Sequence, residues 1–141
     1  MESIRVADYM DPRPVTFRED ESLYEALVAL AHSRTGGGPV IDQQHRVVGF
    51  LSEQDCLREG LEACYLCEPL ATVADMMQRE VLTVSADDSI VELAQTMMGA
   101  KPRTYPVVDA EGKLLGLISR HHVLQAMVTT MASCFAHHPP R

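Results

Sequence analysis

The chain has 141 residues, 46% hydrophobic and 23% charged, with a net charge of −8 at pH 7. That is enough apolar material for one packed domain, or for two small units sharing a core. The acidic balance argues against a broad nucleic-acid surface, which needs Lys and Arg to displace counterions. No apolar run reaches the roughly 18 residues of a bilayer span.

The first ten residues lack a basic flank followed by a long apolar run, so no secretory signal is expected. The expected location is the cytoplasm, with Cys56, Cys64, Cys67 and Cys134 as reduced thiols. The segment VADYM (6–10) precedes PVTF (14–17), whose β-branched residues predict a short strand. Ser22 and Glu25 then form the pattern of a capping box. Leu23, Ala26, Leu27, Leu30 and Ala31 follow at helical spacing and predict one buried stripe. After TGGG (35–38), two apolar runs, PVID and VVGFLS, flank the polar turn QQHR and predict a hairpin. A second helix is expected next, with Cys56, Leu57 and Leu61 as its apolar positions. Residues 63–72 read as a linker in which Pro69 ends the helix and Thr72 caps a short turn.

The chain then repeats itself. Val6 returns as Val73, Pro39 as Pro106, Gly49 as Gly116 and Ser52 as Ser119, always 67 residues on and without a gap. The second copy supplies VLTV (81–84) as its first strand. Its first helix carries Ser89, Ile90, Glu92, Leu93, Ala94, Met97 and Met98, and its hairpin is PVVD-AEGK-LLGLIS. Its last helix carries Val123, Leu124, Met127, Val128 and Met131. The expected fold class is α/β. Two pseudo-two-fold-related repeats, each strand-helix-strand-strand-helix, span 6–62 and 73–129, with a tail at 130–141 whose last residues are expected to be disordered. Two copies are too few for a solenoid and suit a pair that covers each other's apolar faces.

Ser52 stands where a strand gives way to a helix. Its hydroxyl beside free N–H groups suits a phosphate, and Asp55, one turn on, has two acceptor oxygens for a ribose diol. The same Ser-x-x-Asp is also how a helix caps itself. TGGG is no Walker loop, because no Gly-Lys-Ser/Thr follows and it precedes a strand. The second copy holds a Tyr at 105, which suggests that the fold does not itself demand Gly at 38; Gly36 is expected to end the first helix. His122 replaces Asp in the second copy, and an imidazole has at most one acceptor nitrogen. His122, His121 and Arg120 could face phosphates across a cleft, or that pocket could stand empty. Cys64, Cys67, Cys134 and His137 have the residue types of a Cys₃His zinc site. They occupy equivalent places in the two copies, so the expectation is thiols without metal.

The chain resembles a tandem pair of CBS domains, the modules named after cystathionine β-synthase. The resemblance rests on VADYM…VTF…S…PVID…VVGFLSEQD and its second copy VADMM…LTV…S…PVVD…LLGLISRHH, and most specifically on Gly49-Phe50-Leu51-Ser52-Glu53-Gln54-Asp55. It implies a regulatory module rather than an enzyme, with a central cleft for AMP, ADP, ATP or S-adenosylmethionine and no required cofactor. The implied ligand-binding residues are Thr16, Gly37, Gly38, Pro39, Val40, Ser52, Asp55, Ser119, Arg120 and His122, with the glycines opening the pocket to the adenine. It further implies a homodimer that acts on an effector protein. The alternative is an interaction and dimerisation module with vestigial pockets.

Overall fold

The structure is a computed structural model that describes residues 4–33, 35–67, 71–99 and 102–137. A 3-10 turn at Val6–Asp8 is followed by α1 (Leu23–Ser33), β1 (Gly37–Ile41), β2 (Val47–Ser52) and α2 (Glu53–Leu66). The second repeat contributes α3 (Val73–Met76), β3 (Val84–Ser85), α4 (Ile90–Met97), β4 (Thr104–Val108), β5 (Leu114–Ser119) and α5 (Arg120–His137).

Each repeat is built on an antiparallel hairpin, β1 with β2 and β4 with β5. The turns are set by one carboxylate each. Asp42 Oδ1 accepts from the backbone N–H groups of Gln44 and Arg46, and Asp109 Oδ1 from those of Glu111 and Lys113, all at 2.9 Å. These bonds hold both carboxyls below the usual range, with the backbone bonds from Arg46 and Lys113 the leading causes.

The expected first strands are much reduced. In the second repeat only Val84–Ser85 pairs, parallel to β4. In the first, Phe17 makes a single parallel bridge to Val40. Pro14 has no N–H to give a ladder, and Leu82 and Thr83 lie exposed. The helices also depart from expectation in what they bury. On α1, Leu23, Ala26 and Leu30 are buried while Ala31 is exposed, and on α4 Met97 is buried while Met98 is 85% exposed. Ser22 and Ser89 accept first-turn N–H groups at 3.3 and 3.1 Å, so the hydroxyl half of each capping pattern forms. The second helices run longer than expected: α2 enters the expected linker, and α5 continues through the first part of the expected tail. Pro69 and the last four residues lie outside the described residues.

The two cores exchange their entry segments. Val6 and the residues around it pack with Ile90, Leu93, Tyr105, Val107 and Ile118 of the second repeat. Val73 and Met77 pack with Phe17, Leu23, Val40 and Leu51 of the first. The backbone repeats the exchange: Asp11 pairs with Leu117 through bonds of 2.8 and 2.9 Å, and Gln78 pairs with Phe50 through bonds of the same lengths. Gly49 and Gly116 make the crossings possible. A Cβ at Gly49 would lie 2.5 Å from Met77 Sδ, and one at Gly116 would lie 2.6 Å from the Asp11 carbonyl oxygen. The spatial units are therefore not the sequence repeats. Each core is completed by a segment from the other.

Candidate functional site

Between the repeats lies a cavity of about 940 Å³, within the range of small-molecule sites. The first repeat contributes Gly36, Ser52, Glu53 and Gln54. The second contributes Arg103, Thr104 and Arg120, together with Gln78 and Glu80 from the stretch after α3. The walls are pseudo-symmetric. The Glu53 N–H donates to the Gly36 carbonyl at 3.0 Å, and the Arg120 N–H donates to the Arg103 carbonyl at 2.9 Å. The same backbone frame thus places carboxylate and glycine on one side and two guanidiniums on the other. Among the described residues, Glu53, Glu80, Arg103 and Arg120 form no ion pair within 4.0 Å.

Of the residues expected in the site, Ser52 and Arg120 line this cavity. Ser52 caps α2: its hydroxyl accepts the Asp55 N–H at 3.2 Å, which leaves its own proton to donate. Asp55 stands behind the wall with its side chain 19% exposed. Its Oδ2 accepts from Gln78 Nε2 at 3.1 Å, and Arg58 lies 4.0 Å from Oδ1. Gly36, whose Cβ position is open, is on the wall.

Gly37, Gly38, Pro39 and Val40 are buried in β1 and do not line the cavity. The inference that the fold makes no demand at 38 does not hold, because a Cβ there would lie 2.7 Å from the Val15 carbonyl oxygen and 2.9 Å from the Phe17 ring. Thr16 is half-buried beside Phe17 and is also off the wall. On the second-repeat side, Ser119 and His122 hold each other. His122 Nδ1 accepts from the Ser119 N–H at 3.0 Å and lies 3.1 Å from its hydroxyl oxygen. His122 thus caps α5 instead of facing the cavity. Burial lowers its pKa, His121 adds to the lowering, and Asp11 opposes it.

Arg103, Gln78, Glu53 and Glu80 were missed by the reading of the sequence. Arg103 had a signal, since it is the counterpart of Gly36, but a basic residue in a short loop carries no motif. The cysteines do not gather. Cys64, Cys67 and Cys134 are exposed on α2, just past it and on α5, while Cys56 is buried, which pushes its thiol up to about 11. Among the described residues no three His, Cys, Asp or Glu side chains come together to hold a metal. The side chain of His137 lies outside the described residues. Among the described residues, no helix is long and apolar enough to cross a membrane.

The fold and its cleft define a class: a pair of small α/β repeats, related by a pseudo-two-fold axis, that enclose a ligand-sized cavity between them. The chain belongs to the CBS domain family, whose model matches it twice, over residues 6–62 and 73–129. The solved structure of CBSX2 in complex with AMP is similar at a TM-score of 0.79 and 29% identity, over 90% of this chain and 98% of that one. The cytosolic domain of the Mg²⁺ channel MgtE in complex with ATP is similar at a TM-score of 0.71 and 28% identity, over 86% of this chain and 48% of that one. MJ1225 of Methanocaldococcus jannaschii is 25% identical over 114 residues, covering 81% of this chain and 39% of that protein. The chain thus spans well under half of that relative's length.

Proposed function

We propose that the chain is a regulatory module, not a catalyst, that senses an adenosine-containing ligand in the inter-repeat cleft and passes its state to a partner protein. One observation carries this reading: Ser52 at the start of α2 and the guanidiniums of Arg103 and Arg120 converge from different repeats on one open cavity. A hydroxyl beside helix N–H groups and two planar guanidiniums is a site for a phosphate. Asp55, one turn into α2, receives the ribose hydroxyls. Thr16, Gly37, Gly38, Pro39, Val40, Ser119 and His122, which are off the cavity lining, complete the proposed ligand-binding set. The similar CBS pairs solved with AMP and with ATP support this choice of ligand class.

The reading extends to a homodimer. Leu57 and Leu61 on α2 are each 72% exposed, and their counterparts Leu124 and Val128 on α5 are 58% and 64% exposed. Two apolar stripes related by the internal two-fold make a surface that a second copy complements with the same residues. Such a surface also suits the effector protein.

The test is calorimetry and thermal melting with AMP, ADP, ATP and S-adenosylmethionine. A ligand bound only by the folded chain adds about 2.7 kcal/mol at a hundred times its Kd, a rise of several degrees in Tm. One nucleotide per chain is expected, with Arg103→Ala or Arg120→Ala weakening AMP by about tenfold or more. If none of the four ligands shifts the melt, the sensor reading fails and the interaction module with vestigial pockets replaces it.

A further inference from the structure

Asp55 is engaged by another side chain of the same chain. Its partner, Gln78, lies 23 positions away and belongs to the segment that crosses from the second repeat onto the first core. The orientation of the amide is chemically determined. A carboxylate only accepts, so the Gln78 atom 3.1 Å from Asp55 Oδ2 is the Nε2 donor. Gln78 is on the cavity wall and Asp55 is not, and this bond joins the wall residue to the carboxylate. The Gln78 backbone is held to Phe50 by bonds of 2.8 and 2.9 Å. Its side chain is exposed and can turn about its own torsions while that backbone stays paired.

We propose that Gln78 is a placeholder for the ligand's ribose, so that binding requires its amide to leave Asp55 and the strength of that contact sets the affinity of the site. This rests on the reading of Asp55 as the ribose acceptor. The Gln78 amide donates to one Asp55 oxygen from a residue of the cavity wall, so it competes for the side of that oxygen to which a diol in the cleft would donate. The intrachain donor to Asp55 is thus replaced by two donors from the ligand. The pseudo-equivalent position shows that the covering residue is a local choice of this sequence. Asp11 is paired to Leu117 as Gln78 is to Phe50, and its carboxylate charge is near enough to favour the protonated His122 ring. The polarity of the pair is reversed in the second repeat, where no amide donor covers an acidic acceptor.

The consequence runs against the usual result of trimming a polar residue from a binding cleft. Gln78→Ala should tighten AMP binding by about three- to tenfold, since a hydrogen bond to a charged group no longer has to be broken. Gln78→Met, which keeps the stem and removes the donor, should do the same and guards against a packing effect of the truncation. The gain should vanish for 2′,3′-dideoxy-AMP, which has no diol, and should vanish in an Asp55→Ala background. The measurement is isothermal calorimetry on the full chain, with thermal melts confirming that each variant is folded. Unchanged or weaker AMP binding by both Gln78 variants overturns the proposal. So does an equal gain for the dideoxy nucleotide, or a gain that persists without Asp55. The same comparison is made with whichever of AMP, ADP, ATP and S-adenosylmethionine binds the wild-type chain best; if neither the wild-type chain nor the folded Gln78 variants bind any of the four, it is the underlying sensor reading that fails.

Discussion

The Phe17 ring occupies the space that a side chain at Gly38 would need, with its Cε2 atom 2.9 Å from the Cβ position. In the second repeat the same two positions hold Val84 and Tyr105, and Tyr105 is 2% exposed. The repeats therefore solve one packing problem in opposite ways, with a large residue on the short first strand and none on the hairpin, or the reverse.

Gly38→Ala should consequently destabilise the chain by about 1–3 kcal/mol, the usual cost of overpacking. Phe17→Val in the same chain should recover part of that loss. Thermal melts of the two single variants and the double variant give the coupling directly. Simple additivity would show that the Phe17 ring is not the obstacle.

The exchanged entry segments predict an asymmetry between the two tract glycines. Gly116→Ala drives a Cβ against the Asp11 backbone carbonyl at 2.6 Å, whereas Gly49→Ala meets first the flexible end of Met77. Both should destabilise, by about 1–3 kcal/mol, with Gly116→Ala the worse. Amide exchange should localise the effect of Gly116→Ala to residues 4–11 as well as to β5. Protection of that entry segment unaltered by the substitution would contradict the exchange.

His122 supplies a pH dependence. Its folded pKa lies below the ordinary histidine value of 6.5, chiefly because burial disfavours the charged ring, and Nδ1 must be unprotonated to accept the Ser119 N–H. The unfolded chain therefore takes up a proton first as pH falls. The contribution to stability is complete above about 6.5 and declines as pH drops through 6.5 toward the folded pKa. His122→Asn keeps an acceptor for the cap without titrating. It should flatten the stability profile between about pH 5 and 7, as read by urea melts. An equal slope in both chains would remove His122 as its source.

The exposed stripes on α2 and α5 predict self-association. Leu61→Glu or Val128→Glu should shift a dimer to a species near the chain mass of 15.6 kDa, measured by sedimentation equilibrium. The variants should remain folded, because both positions are exposed in the single chain, while their Tm loses the dependence on protein concentration that association gives the wild type. A wild-type chain that is monomeric at micromolar concentration would leave these stripes to another partner.

Much of this molecule is legible along the chain. The 67-residue offset, the hairpins with their Asp42 and Asp109 turns, the Ser-capped helices and the Ser52 end of the cleft all follow from short-range patterns. Each depends on torsional preference and hydrogen bonds within a few residues, and these are written locally. Tertiary structure decided what those patterns leave open. Periodicity shows that Leu57, Leu61, Leu124 and Val128 share apolar faces, but not that they stay exposed among the described residues. The repeat pairs Val6 with Val73, but not each with the other's core. The demand for glycine at 38 comes from the Val15 carbonyl and the Phe17 ring, and the state of Asp55 comes from Gln78. These outcomes depend on which distant side chain fills a given space or supplies a given donor. That is settled by close packing between segments far apart in sequence.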